Sequence, residues 1–223
     1  MKQRCLIMYR EWFAQFPVKK FDKDSTLFMQ GDTLNYCYYL KKGICSQLIY
    51  YENGIEVVPK YHFPGDLMNV WGVLKNKTAY ASTAVAKVDV YAAVIPASRL
   101  RRELEENFSF YRWVVESILM DNQYVYEQYH KKSKGSAAEI LCYAILTMSQ
   151  TGSDGELYLP KEFSFLDLAR HLRIHRITVS YIFKALQEEN IIQKCNVGWR
   201  ILDVQALESY SQGNLILNYG APD

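Results

Sequence analysis

From residue 107 to residue 134 the chain holds neither proline nor glycine, the two residues that most readily end a helix. The stretch predicts one long helix. Its seam can be laid out at 4,3 spacing through Tyr111, Val115, Ile118, Asn122, Val125, Tyr129 and Lys132. A single asparagine then stands at an a-type position, where a buried Asn fixes register in a parallel two-stranded coiled coil at some cost in stability. A helix this long carries more apolar surface than one small domain can cover. The expectation is a homodimer whose interface runs through Val115, Ile118, Asn122, Val125 and Tyr129. The plainer alternative is a helix packed on its own domain, with Asn122 at the edge.

Before this helix the chain reads as short apolar runs cut by turn signals. Runs at 25–30, 35–40 and 44–51 stop at Gly31, at Gly43 and at the Asn53-Gly54 pair. A fourth, 55–63, stops at Pro64, Gly65 and Asp66, and 82–96 holds two more alternating runs. Asn-Gly is the strongest short hairpin signal, because both central positions of the turn need φ > 0. Strands spaced at roughly 8–12 residues with glycine turns predict an antiparallel sandwich or barrel, not a parallel sheet.

The length of 223 residues allows one large or two modest domains. The net charge of +2 excludes a basic coat or an acidic tail but leaves room for a local basic face. Tyrosine alone supplies 18 residues, which suits interfaces or a lined pocket. The cysteines stand at 5, 37, 45, 142 and 195 with no C-x-x-C pair. Such a set predicts reduced thiols in a cytoplasmic protein, with no disulfide frame, zinc knuckle or iron–sulfur cluster. No apolar run suits a signal peptide or a membrane span, so no membrane partner is expected.

The most informative segment is 164–201. Ser164 and Asp167 have the spacing of a helix start, and Leu166, Leu168, Ala169 and Leu172 give a short helix with one apolar face. Arg173, Ile174 and His175 break it. A second helix from Arg176 carries Ile177, Val179, Ile182, Phe183 and Leu186 as its apolar set. This is helix-turn-helix spacing, with Ala169 small enough for a close crossing. The second helix of such a unit offers its first side chains to base edges in the major groove. Here those are His175, Arg176, Thr178, Ser180 and Tyr181, with Lys184 one turn on. Arg176 can grip guanine O6 and N7 bidentately, and the hydroxyls can bond bases or phosphates. Two β-rich runs around Asn196 and Gly198 read as a hairpin wing flanked by Lys194 and Arg200. Residues 164–200 carry a net +3. With Ser164 at the helix start, these residues are the expected DNA contacts. Double-stranded DNA carrying a palindromic operator is the expected partner.

At this point the chain resembles the Crp/Fnr family of bacterial transcription regulators, the cyclic-AMP receptor protein and its relatives, over about residues 17–210. The resemblance rests on the run from Ser25 to Asp32 and on Tyr38 to Gly43. It rests equally on Glu52-Asn53-Gly54, Pro64-Gly65-Asp66-Leu67, Asp167-Leu168-Ala169, Arg176 to Ser180, and Asn190-Ile191-Ile192. It implies an α+β chain in three parts. An N-terminal antiparallel double-stranded β-helix, a jelly roll like a cyclic-nucleotide-binding domain, takes 1–106. A dimerisation helix takes 107–134, and a winged helix-turn-helix takes 137–223. RNA polymerase would be a further partner.

The departures from the family pattern are informative. Cyclic-nucleotide binders carry a Gly-Glu-Leu triplet whose Glu takes the ribose, and an Arg that takes the phosphate. Here the first triplet aligns with Asn69, Val70 and Trp71, the second falls near Thr78, Ala79 and Tyr80, and no Arg occurs from 61 to 98. A phosphate buried in the roll would be poorly paired, so cyclic AMP is not expected. A lining of Val70, Trp71, Tyr80 and Tyr126 would suit a small uncharged or partly aromatic effector; alternatively the rings fill the roll and nothing binds. Many relatives carry Glu where Ile177 stands and Arg where Tyr181 stands, so the operator need not resemble the usual half-site. The N-terminal cysteine set of the oxygen-sensing branch is absent. His62 with Cys37 or Cys45 could ligate haem, but a lone His beside a turn reads as a surface residue. No cofactor, metal ligand or catalytic residue is expected. A cupin-like metal enzyme would need clustered ligands on the roll, and the sensor half offers only His62.

Overall fold

The computed structural model describes residues 9–220, without the side chains of Asp121, Tyr124, Gln128, Lys132 and Lys134. Cys5 and the seam position Lys132 therefore lie outside the described residues. The chain divides into two compact units, Met1–Tyr124 and Val125–Asp223.

The first unit is an antiparallel roll. After helix α1 (Arg10–Ala14) come β1 (Val18–Phe21), β2 (Thr26–Phe28), β3 (Tyr36–Lys42), β4 (Cys45–Tyr50) and β5 (Glu56–His62). Then follow β6 (Leu67–Met68), α2 (Val70–Leu74), β7 (Thr83–Ala86), β8 (Val90–Pro96) and α3 (Ala97–Glu106). The strands form two four-stranded sheets, ordered β1-β8-β3-β6 and β2-β7-β4-β5, antiparallel throughout. The Asn53-Gly54 pair turns β4 into β5 as expected. Gly43 turns β3 into β4 at φ +95°, and a Cβ there would lie 2.4 Å from the Asp89 carbonyl oxygen. Rings fill the interior: Phe13 stacks on Tyr39 at 3.9 Å, and Phe28 stacks on Tyr80 at 4.6 Å.

Three pieces of this unit carry weak sequence signals. Strand β1 buries only Phe21, with Val18, Lys19 and Lys20 exposed, and pairs with β8 through its backbone. Helices α1 and α2 are five residues each, too short for periodicity to show.

Helix α4 runs Phe108–Lys134. Its first turns bury Phe110, Trp113 and Val114 in the core of the roll.

The second unit holds α5 (Ala137–Met148), β9 (Gln150–Thr151), β10 (Leu157–Pro160), α6 (Phe165–Leu172), α7 (Arg176–Glu188), β11 (Ile192–Cys195), β12 (Gly198–Ile201) and α8 (Val204–Gln212). Its sheet, β11-β12-β10-β9, extends the expected wing hairpin by two strands. Leu141, Ile145, Leu168, Phe183 and Leu207 are fully buried, and Leu217 in the tail is buried as well. The Lys131 ammonium donates to the Ser211 carbonyl and sits 5.2 Å over the Tyr143 ring.

Cys37, Cys45, Cys142 and Cys195 are free thiols, and burial pushes the first three up to about 12. Among the described residues no helix is long and apolar enough to cross a membrane. Among them, too, no group of three or more His, Cys, Asp or Glu is placed to hold a metal ion.

Candidate nucleic-acid interface

Helix α6 opens with a complete capping box. The Ser164 hydroxyl accepts from the Asp167 N–H at 3.2 Å, and the Asp167 carboxylate accepts from the Ser164 N–H at 2.9 Å. Ser164 is exposed but engaged in this cap. Arg173 closes the helix at φ 58°, ψ 42°, a left-handed cap made without glycine. The chain then turns into α7, where Val179, Ile182, Phe183 and Leu186 are buried.

The opposite side of α7 faces outward. Spacings of three and four residues bring Arg176, Ile177, Ser180, Tyr181 and Lys184 onto one exposed face. Thr178 is half-buried at its edge. Arg176, Ile177, Ser180 and Tyr181, with Phe165 of α6, line a concavity of about 370 Å³. His175 is exposed at the N-cap and makes no side-chain cap, so the first N–H groups of α7 point outward unmet by a side chain. A helix start of this kind favours an anionic group. Lys184 is in loose contact with Glu188 at 3.7 Å.

The wing is fixed by rings. Trp199 packs 4.9 Å from Phe183 and 6.2 Å from Phe165, which locks β12 against both helices. Lys194, opposite Trp199 in register, lies over its ring at 6.0 Å on that same face. Arg200 is one residue on and so points to the other face. There it meets Glu156 at 3.2 Å and stands opposite Tyr158 and Gln193. Of the expected DNA contacts, Arg176, Ser180, Tyr181 and Lys184 thus share the exposed face of α7 with His175 at its N-cap, while Ser164 is engaged in the α6 cap, Lys194 lies over Trp199 on the wing, and Arg200 stands apart with an acidic partner.

The sequence model of the cyclic nucleotide-binding domain matches residues 18–107, and that of the Crp-like helix-turn-helix domain matches 141–210. The chain belongs to the Crp/Fnr family. Among relatives of this Crp/Fnr protein, the listeriolysin regulatory protein of Listeria monocytogenes is 22% identical over 86% of this chain and 84% of that one. The cAMP-activated global transcriptional regulator CRP of Escherichia coli O157:H7 is 29% identical over 44% of this chain and 47% of that one, about half its length. The solved structure of FixK2 from Bradyrhizobium japonicum shares the fold, with a TM-score of 0.76 at 16% identity over 87% of this chain and 96% of that one. The chain is therefore a transcription regulator with a helix-turn-helix DNA-binding domain and a cyclic-nucleotide-binding-like domain.

In the roll of this Crp/Fnr protein the expected effector residues part company. Val70 and Tyr80 are buried in the apolar core, while Trp71 is 46% exposed on α2. The Tyr80 hydroxyl donates to the Tyr36 carbonyl at 3.0 Å and accepts from the Tyr36 N–H at 3.2 Å. Tyr126 stands 69% exposed on α4.

His62 is a correction to the sequence reading: it is buried, not on the surface. Its Nε2–H donates to Gln47 at 3.0 Å, and Gln47 donates to Ser82 at 3.1 Å. Register places Gln47, Lys60 and His62 on the inward face with Cys45, Ala84 and Ala86. This largely buried polar row, with Gln47 half-buried, escaped the sequence reading because strand alternation fixes a face only once register is known.

On α4, Val115 is half-buried and Ile118 packs against the roll core. Asn122, Val125 and Tyr129 are exposed, as is Leu119, which is 60% exposed.

Proposed function

We propose that this protein is a homodimeric, sequence-specific regulator that reads a palindromic operator and acts on RNA polymerase at the promoter. The observation that carries the reading is the outward face of α7, where Arg176, Ser180, Tyr181 and Lys184 stand beside an uncapped helix start. Its dimer contact would be the outward stripe of α4, where Tyr111, Leu119, Val125, Tyr126 and Tyr129 are all exposed. Twofold symmetry then pairs two half-sites about one or two helical turns apart. Selection of bound duplexes from a random pool should enrich such a palindrome. Arg176→Ala should cost roughly 1–3 kcal/mol at one position and relax specificity there. A uniform loss across sequences would make Arg176 a phosphate contact instead.

For the signal, a small uncharged effector in the roll is supported by the polar row of half-buried Gln47 with buried His62 and Ser82, since polar groups are costly to place in a core. The second reading, a regulator that needs no effector, is favoured by Tyr80. Its ring is stacked on Phe28 and its hydroxyl is doubly bonded to Tyr36, so a ligand there must displace both. Native mass spectrometry of the purified dimer separates the two: a retained small molecule supports the first, a bare dimer that binds the operator fully supports the second.

A further inference from the structure

The reading face of α7 carries an apolar side chain that the protein's own packing does not need. Ile177 is 52% exposed, and Tyr181, one turn on, is 36% exposed. The buried side of the helix is already filled by Val179, Ile182, Phe183 and Leu186. A lysine, glutamine or glutamate at position 177 would favour the helix more than isoleucine does. Ile177 instead lines the concavity together with Phe165, Arg176, Ser180 and Tyr181, and the four-residue spacing sets Arg176 with Ser180 and Ile177 with Tyr181 in neighbouring rows of the helix.

In the major groove, the thymine 5-methyl group is the apolar feature that a side chain can recognise. We infer that Ile177, flanked by the Tyr181 ring, reads the 5-methyl group of a thymine neighbouring the guanine that Arg176 grips. The concavity matches such a step: a guanidinium and a hydroxyl face acceptor atoms at one end, and branched and aromatic carbon faces a methyl at the other. The half-site therefore contains a guanine and a thymine side by side, read by two consecutive residues. This inference rests on the DNA-reading function proposed above.

Replacing thymine by uracil in a duplex removes the methyl and leaves the base pair intact, which supplies the test. The operator selected from the random pool is remade with each thymine in turn replaced by uracil. At one position per half-site the replacement should weaken binding roughly fourfold, the value of one buried methyl. Ile177→Ala should weaken binding to the thymine operator by a similar factor and become indifferent to uracil at that position. The truncation leaves the core untouched, and unchanged salt-dependent binding to random-sequence duplex would show the variant folded. Tolerance of uracil at every position, or an Ile177→Ala protein still sensitive to it, overturns the inference while the DNA-reading function stands. A pool that yields no enriched sequence overturns both.

Discussion

The roll and the winged unit treat their aromatic and polar side chains in opposite ways. In the roll, two of the residues expected to line an effector site, Val70 and Tyr80, serve packing, while Trp71 is exposed. Tyr80 lies between Phe28 and the backbone of Tyr36, and Val70 is in the core. In the winged unit the rings of half-buried Phe165 and Trp199 lock onto buried Phe183, and the outward face of α7 is left to Arg176, Ile177, Ser180 and Tyr181. The same chemistry therefore fills the interior of one unit and, in the other, backs an exposed helix face. The difference teaches that aromatic richness alone does not mark a binding site; what matters is whether the ring's neighbours are its own chain.

The sharpest test of this division uses two glycines. Gly198 sits at φ +144° with its Cβ position 2.0 Å from the Leu159 carbonyl oxygen, and Gly43 has a comparable clash in the roll. Gly198→Ala should destabilise the winged unit by roughly 2–4 kcal/mol, from backbone strain and overpacking together. Gly43→Ala should do the same to the roll. Denaturant unfolding followed by separate probes in each unit checks this. If either substitution weakened both units equally, the two would unfold as one block and the contrast would fail.

A smaller effect is expected at the long helix. Leu119→Asp removes an exposed leucine from the outward stripe and should weaken dimerisation by roughly 2 kcal/mol per protomer, read by light scattering across a dilution series. Ile118→Asp should lower protomer stability as well, because Ile118 packs on the roll core. An unchanged mass for Leu119→Asp would place the dimer contact elsewhere. The contrast between neighbours shows what was legible in the sequence. The existence and length of α4 follow from 107–134 lacking proline and glycine, and the observed helix differs by one residue. The strict heptad chose Ile118, but the roll covers the side of α4 that holds Phe110, Trp113 and Val114, so Ile118 packs against it while Leu119 and Tyr126, on another side of the helix, stay exposed. The helix-turn-helix was legible because Ser164, Asp167 and the two apolar sets are local. Strands β9 and β10 were not: two residues of Gln150 and Thr151 carry no alternation, and the Arg200–Glu156 pair joins residues far apart in sequence.

Tyr80→Phe addresses the roll more gently. The lost hydroxyl should cost about 1 kcal/mol, the net value of a part-buried hydrogen bond to Tyr36. If Tyr80 serves packing alone, operator affinity stays unchanged while the thermal midpoint falls. A shift in operator affinity at constant stability would restore Tyr80 as a sensor residue and erase the contrast with the winged unit.

The smallest effects separate the two faces of the wing. Lys194 shares the Trp199 face with the helices, and Arg200 is turned away onto Glu156. Each phosphate contact contributes about 0.9 to the slope of log affinity against log salt. Lys194→Ala should therefore lower that slope by about one, and Arg200→Ala should leave it unchanged. The Glu156 carboxylate already neutralises Arg200, and its guanidinium would have to leave that partner to reach a phosphate. Strand alternation makes this a strong constraint, because neighbouring residues of β12 cannot both face the duplex without breaking the pairing with β10. Equal slopes for the two variants would mean that the sheet lies edge-on to the DNA, with both faces close to phosphates. The wing would then grip the backbone from two sides instead of one.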